Sequence, residues 1–380
     1  MATVSKETGR RERARRGPRR TGVAPGDAEP SVTRAAGEGP RAEAGAVVSA
    51  EGGGRPTLRT IAERMGVGVT TVSRALADAP DIGSRTKERA REVAREVGYH
   101  PNRAGQRLRT GRTNVIGVVL STEVGGLGLS SALIHGLASG LAGTPYHLVL
   151  VPFAPTDDPL GPVRYVVESK AADGIVFANT MPEDPRARYL LDSGFPFVTH
   201  GRTGFEHRHP FVDFDNAAYA EGAARRLAAR GRRRAALVAP PASLAYGREM
   251  RLAWSRAGSG ALARVTTDPV TSDAPLDVLV ATLRDALSRE DAPDAIVCGG
   301  VTAAVATLEA AAERGLRIGT DLDLVTKVSH AVVERLLQGA ILVREDYGAA
   351  GESLSRLLMA RIAAPEAPPA QTVERPRFPD

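Results

Sequence analysis

One cysteine in 380 residues, Cys298, leaves nothing for it to pair with, so a disulfide framework within the chain is excluded. It sits in the apolar run Ala295-Ile296-Val297-Cys298, which fits a packed core thiol in a reducing cytoplasm rather than a nucleophile. No run of about 18 apolar residues occurs, so no membrane-spanning helix and no membrane partner are expected. The arginine-rich start is followed by no apolar segment, so no secretory leader is expected either. HExxH and CxxC spacings are missing, as is a nucleophile elbow. Gly126-x-Gly128 lacks the third glycine of a dinucleotide fingerprint, because Ser131 stands there. These absences argue against an enzyme and imply no metal or cofactor. Aromatics are 4% of the chain, with one tryptophan, Trp254. Lysine is scarce beside arginine, which suggests a GC-rich genome.

What is present divides unevenly. Residues 1–54 are rich in Arg, Gly, Ala and Pro and hold almost no large apolar side chains, so they cannot bury enough surface to offset chain entropy and read as a disordered basic tail. The cluster from Arg10 to Arg20 either strengthens DNA binding without specificity or is incidental, including the case of a misassigned start. Residues 55–112 hold 13 Arg or Lys against 6 Asp or Glu, a net of +7. The tail carries +3, which leaves −4 of the chain's +6 for the rest. A basic head on an acidic body is the charge pattern of a DNA-binding module joined to a sensing module.

The basic head reads as three short amphipathic helices. Leu58, Ile61, Ala62 and Met65 recur at helical spacing, with Thr57 placed to cap the helix and Gly66 to end it. A second helix over Val69–Leu76 turns Val72 and Leu76 inward and Val69, Thr70, Thr71, Ser73 and Arg74 outward. Two helices joined by so short a glycine-bearing turn form a helix-turn-helix unit. The hydroxyls suit phosphates or base edges, Val69 a thymine methyl, and Arg74 the paired hydrogen bonds of guanine in the major groove. A third helix, about Ser84 to Val97, packs through Ala90, Val93, Ala94 and Val97 and ends at Gly98. Its Arg85, Lys87, Arg89 and Arg91 interleave with Glu88 and Glu92, so they face either DNA or only solvent.

The run Ile61-Ala62-Glu63, Gly66-Val67, Thr71-Val72-Ser73-Arg74-Ala75-Leu76, then Gly98-Tyr99 and Pro101-Asn102-Arg103-Ala104, resembles the LacI/GalR family of bacterial repressors. The resemblance is ungapped over about 57–112. It implies a homodimer on a near-palindromic operator and a hinge helix, about Arg103 to Arg109, that forms on DNA. Leu108 matches the leucine that members wedge into the minor groove, kinking the duplex. The expected DNA-binding residues are therefore Thr57, Val69, Thr70, Thr71, Ser73, Arg74, Tyr99, Asn102, Arg103, Gln106 and Leu108. Gly68 and Gly83 stand where the family usually has serine; glycine at an N-cap costs only a few tenths of a kcal/mol relative to serine.

The expected organisation is a tail (1–54), a headpiece (55–101), a hinge helix and linker (102–112), and a body (113–380) for effector binding and dimerisation. The body alternates short apolar runs with helical segments: strands over Val115–Leu120, His147–Phe153, Gly174–Ala178, Phe197–His200, Ala235–Val238, Ala295–Cys298, Leu322–Thr326 and Ile341–Arg344, and helices such as Ala217–Arg230, Leu276–Ser288 and Thr302–Arg314. Such alternation implies parallel sheets covered on both faces. The fold class is an all-α helix-turn-helix headpiece plus an α/β body of two doubly wound parallel-sheet subdomains. The resemblance implies a periplasmic-binding-protein-like arrangement, with the chain crossing near Asp215 and returning near Asp346.

Ligands of open α/β sheets sit at the carboxyl ends of the strands. That selects Glu123, Asn179, His200, Arg202, Asp215 and Lys327 as effector contacts, with Asp213, Asn216, Glu345 and Asp346 nearby and Trp254 to stack on a sugar face; the family resemblance adds Arg251. The body's resemblance is weaker. Sugar-binding members usually have Asn-Asp after the strand ending at Cys298, where Gly300-Val301 stands. They often have an aspartate where Thr326-Lys327-Val328 runs, and the ligand-region arginine is displaced in Arg248-Glu249-Met250-Arg251. The expected function is a cytoplasmic, nucleoid-associated transcriptional repressor that binds operator DNA as a homodimer under a small-molecule effector, a saccharide or related metabolite. The alternatives are a regulator with a lost or non-sugar response, a sugar-binding transport protein and an enzyme.

Overall fold

The computed structural model describes residues 56–99, 107, 111–121, 129–154, 158–257 and 262–379. The expectations for the tail, for Asn102, Arg103, Gln106 and Leu108, and for Glu123 fall outside them.

Residues 57–99 form three helices, α1 (Leu58–Met65), α2 (Val69–Leu76) and α3 (Ser84–Glu96). Thr57 caps α1: its Oγ1 accepts from Thr60 N–H while Thr60 Oγ1 accepts from Thr57 N–H, so two otherwise unpaired donors are satisfied. Gly66 closes α1 at φ +66°, a conformation that costs glycine nothing. Gly68 and Gly83 precede α2 and α3 in extended conformation and supply no side-chain cap. Ile61, Ala62, Val72, Ala75, Ala90, Val93 and Ala94 are buried. Ala75 rather than Leu76 takes the fully buried place on α2; Leu76 packs against the same core half-buried.

The body contains two all-parallel sheets. The first has the order β2-β1-β3-β4-β5-β11, built from β1 (Val115–Ser121), β2 (His147–Phe153), β3 (Gly174–Phe177), β4 (Phe197–His200), β5 (Phe211–Phe214) and β11 (Gln371–Glu374). The second has the order β7-β6-β8-β9-β10, built from β6 (Arg234–Val238), β7 (Ala263–Thr266), β8 (Ala295–Cys298), β9 (Asp323–Val328) and β10 (Ile341–Arg344). The central strands β3, β8 and β9 are buried along their whole length, as strands covered on both faces must be. The covering helices are α4 (Leu129–Gly140), α5 (Leu160–Glu168), α6 (Pro185–Asp192), α7 (Asn216–Ala229), α8 (Ala245–Arg256), α9 (Leu276–Ser288), α10 (Val301–Glu313), α11 (Ala331–Leu336) and α12 (Tyr347–Ala363).

The chain leaves the first sheet after β5 and returns after β10, at the expected Asp215 and Asp346, each of which caps the helix that follows. A third passage was not legible: after β11 joins the first sheet, Phe378 packs on α7 of the second subdomain, stacked at 6.1 Å on Tyr219. A Cβ on Gly222 would collide with that ring. In the first subdomain α12 lies against α4 so closely that side chains at Gly136, Gly140 or Gly351 would meet the opposing helix, and Ser355 Oγ donates to Leu137 C=O. Strand β9 runs two residues past its expected end, so Lys327 lies within it rather than after it; the lysine has buried partners, and the strand need not stop to solvate it.

Candidate nucleic-acid interface and ligand cleft

Helix α2 buries Val72 and Ala75 and turns the opposite face to solvent. Val69 (44% exposed), Thr70 and Arg74 are open, while Thr71 and Ser73 are half-buried. A short helix with one apolar stripe and small polar residues opposite can enter a groove without desolvating a large side chain. Arg74 is not loose in this arrangement. Its NH2 lies 2.6 Å from Asp81 Oδ1 in the α2–α3 loop, a partner that no sequence periodicity pointed to. Thr57 carries the α1 cap through its hydroxyl, and the Tyr99 ring packs against the headpiece core. On α3, Lys87 and Arg91 converge on Asp78 Oδ1 at 3.2 and 3.0 Å, and Arg89 pairs with Glu92 and Glu96. Lys87 beside it holds the Asp78 carboxyl below the usual range. These three α3 cations are therefore engaged within the headpiece.

The carboxyl ends of both sheets meet at the crossovers, and several expected residues come together there. Lys327, buried, places Nζ 2.9 Å from Asn216 Oδ1 and 2.9 Å from Glu345 Oε2, with the Phe214 and Tyr246 rings 5.2 and 5.7 Å away. Arg202, after β4, sets Nε 3.2 Å from Asp213 and NH1 3.2 Å from Glu249 on α8, so it links the two subdomains. Ala245 N–H donates to Thr180 C=O at 2.8 Å across the same divide. The His200 ring lies tilted against Tyr347, centroids 5.2 Å apart, and loss of water around its imidazole holds it below the ordinary histidine range. Burial pushes Asp213 up to about 7, outweighing the Arg202 guanidinium that favours its charge. Burial raises Glu249 and Asp273 in the same way.

Two expected contacts are displaced. Trp254 is no stacking platform: it is 2% exposed in the core of the second subdomain, its Nε1 donating to Val265 C=O, because α8 turns this face onto the sheet. Arg251 is committed to Asp268 and the Pro240 carbonyl. Asn179 is exposed at φ +51°, its carbonyl accepting from Arg186. Asp215 caps α7 through Oδ1. Sequence reasoning missed Glu249, Tyr246 and Tyr347 as cleft groups. The carboxyl-end rule selects residues just after strands, and these lie on the first two turns of the following helices.

Residues 57–102 match bacterial regulatory proteins of the lacI family, and residues 224–378 match a periplasmic binding protein-like domain. The transcriptional regulator AglR of Rhizobium meliloti is 34% identical over 275 residues, 70% of this chain and 76% of that protein. CelR of Thermobifida fusca is 28% identical over 326 residues, 84% of this chain and 95% of that one. Among solved structures, a Lac repressor dimer bound to operator and the anti-inducer ONPF superposes with a TM-score of 0.72 at 18% identity, covering 86% of this chain and 98% of that one. A CelR–cellobiose complex superposes with a TM-score of 0.60 at 24% identity, covering 86% and 99%.

Proposed function

The chain belongs to the lacI family of bacterial regulatory proteins, and on that premise we propose that it is a repressor that binds a near-palindromic operator as a homodimer and releases it when a small molecule occupies the inter-subdomain cleft. The observation that carries the DNA reading is the free face of α2, where Val69, Thr70 and Arg74 stand open over a fully buried Val72 and Ala75. Arg74 reads guanine, the hydroxyls of Thr70, Thr71 and Ser73 meet phosphates or base edges, and Thr57 and Tyr99 flank them. By the resemblance, Asn102, Arg103 and Gln106 contact the backbone and Leu108 wedges a central minor-groove step. The intact protein, tested by footprinting on the DNA flanking its own gene, is expected to protect one segment with two-fold symmetry. Binding that depends only on DNA length and salt would overturn the reading.

A second reading concerns the effector. A relative is known in complex with cellobiose, which points to a sugar in this cleft too. The internal pairing of Lys327 with Glu345 and Asn216, and of Arg202 with Asp213 and Glu249, favours a non-sugar ligand or a lost response, since a neutral saccharide would have to displace ion pairs and would find no exposed tryptophan to stack on. Calorimetric titration of the intact protein with cellobiose and other neutral disaccharides is expected to give no binding heat. Saturable binding that also releases operator would restore the sugar.

A further inference from the structure

We propose that Asp81 is a specificity-determining residue, one that holds the Arg74 guanidinium in the plane from which it reads a base and penalises DNA that does not offer that base. The inference rests on the reading of α2 as the recognition helix and adds a residue on which that reading is silent.

Several features make the Asp81 carboxylate a fixed partner. The loop after α2 is folded back on the helix: Ala79 N–H donates to Arg74 C=O at 3.0 Å, and Ile82 N–H donates to Ala79 C=O at 3.2 Å. Pro80 restricts the backbone just before Asp81. Asp78, three residues earlier, is anchored to α3 through Lys87 and Arg91. The loop therefore has few ways to move, and it delivers Asp81 Oδ1 to 2.6 Å from Arg74 NH2. Both side chains are about half exposed, 53% and 50%, so the pair contributes little to folding. Its consequence is for what meets the free face of α2.

An arginine that reads guanine must offer two parallel N–H groups to O6 and N7 in one plane. Unpaired, its long side chain samples many rotamers and is equally ready to settle on a phosphate. A carboxylate on one edge of the fork narrows those rotamers and leaves the remaining N–H groups for the base. The same carboxylate repels phosphates, so a duplex that offers no guanine at this position meets a negative charge whose partner finds no base to bond. Discrimination by an unfavourable contact with the wrong sequence requires such an element.

The test uses the full chain and an operator selected by that chain from a random-sequence duplex library, with every base pair then substituted singly. Arg74→Ala is expected to abolish discrimination at one base pair per half-site. Asp81→Asn, nearly isosteric and lacking the charge, is expected to lower discrimination at that same base pair about tenfold, within the roughly 5- to 150-fold that one bidentate arginine–base contact carries. It is also expected to bind unrelated duplex more tightly. In the Arg74→Ala background Asp81→Asn should change discrimination at no position. If Asp81→Asn leaves the Arg74-dependent position unchanged while Arg74→Ala erases it, the proposal is wrong and the recognition-helix reading stands. If Arg74→Ala itself alters no position, the recognition-helix reading fails and the proposal falls with it.

Discussion

The headpiece and the cleft handle charge in opposite ways. In the headpiece, most paired cations are about half exposed at the surface, and the face of α2 stays open. In the cleft, Lys327 and Glu345 are paired out of water, and Arg202 is shared between two carboxylates from different subdomains. Surface pairs are worth little to stability, and their half-exposed cations keep N–H groups available to a phosphate or a base. Buried pairs are costly to break singly, because the abandoned partner keeps its charge without solvent. A groove-binding surface can thus be assembled from replaceable contacts, whereas a ligand entering this cleft must outbid a completed network.

The sharpest test of that contrast is Lys327→Met, which abandons Glu345 in the interior. It should destabilise the body by about 3–5 kcal/mol in denaturant unfolding, and the double change with Glu345→Leu should recover most of that loss. An equal loss in the double variant would mean that the lysine acts through packing and not through its charge. Arg74→Ala comes next. It should weaken specific operator binding by about 1–3 kcal/mol in anisotropy titrations and leave the unfolding midpoint where it is, because its partner Asp81 returns to water. A matching fall in the midpoint would erase the distinction drawn here.

A change of slope follows. The Asp213 carboxyl, at about 7 in the folded protein against an ordinary value near 3.8, keeps its proton longer when folded than when unfolded. Its contribution to stability is therefore complete at low pH and is lost as pH rises from about 4 to 7. Asp213→Asn should flatten that part of the profile of unfolding free energy against pH, and an unaltered profile would place the titration elsewhere. The smallest effect belongs to the caps. Gly68→Ser and Gly83→Ser should each add a few tenths of a kcal/mol to the headpiece by giving α2 and α3 the side-chain acceptor they lack. Thermal unfolding of the headpiece would register it, and a loss would mean that glycine is needed there for another reason.

The same contrast governs what could be read from the chain alone. The boundaries of α1 and α2 follow from helical spacing and glycine stops, since each of those signals acts locally. In the body, β3, β4, β8 and β10 announce themselves as short apolar runs. Strands β7 and β11 do not: they are exposed edge strands of mixed polarity, Ala-Arg-Val-Thr and Gln-Thr-Val-Glu, recruited by a neighbour rather than by their own pattern. Strand β5 hides behind the polar Asp213 at its third position. Trp254 misled because an aromatic ring looks the same in sequence whether α8 turns it to a ligand or to the sheet. His200, Arg202 and Lys327 were legible as strand-end polar groups. That Arg202 pairs with Glu249, Lys327 with Asn216 and Glu345, and His200 with the Tyr347 ring is long-range information, carried by the crossovers and absent from local spacing.

The close seating of α12 against α4 has a consequence for how the protein is made. Ser355 bonds the carbonyl of Leu137 across 218 residues of sequence, and the first sheet receives its edge strand β11 only at Gln371. A ribosome has therefore finished all of the second subdomain's strands before it can supply the helix that covers the first one. The subdomain synthesised first is completed last. Until then, the apolar side of α4 around Leu133 and Leu137 waits uncovered, an exposed surface of the kind that chaperones bind and that aggregates when translation stops short.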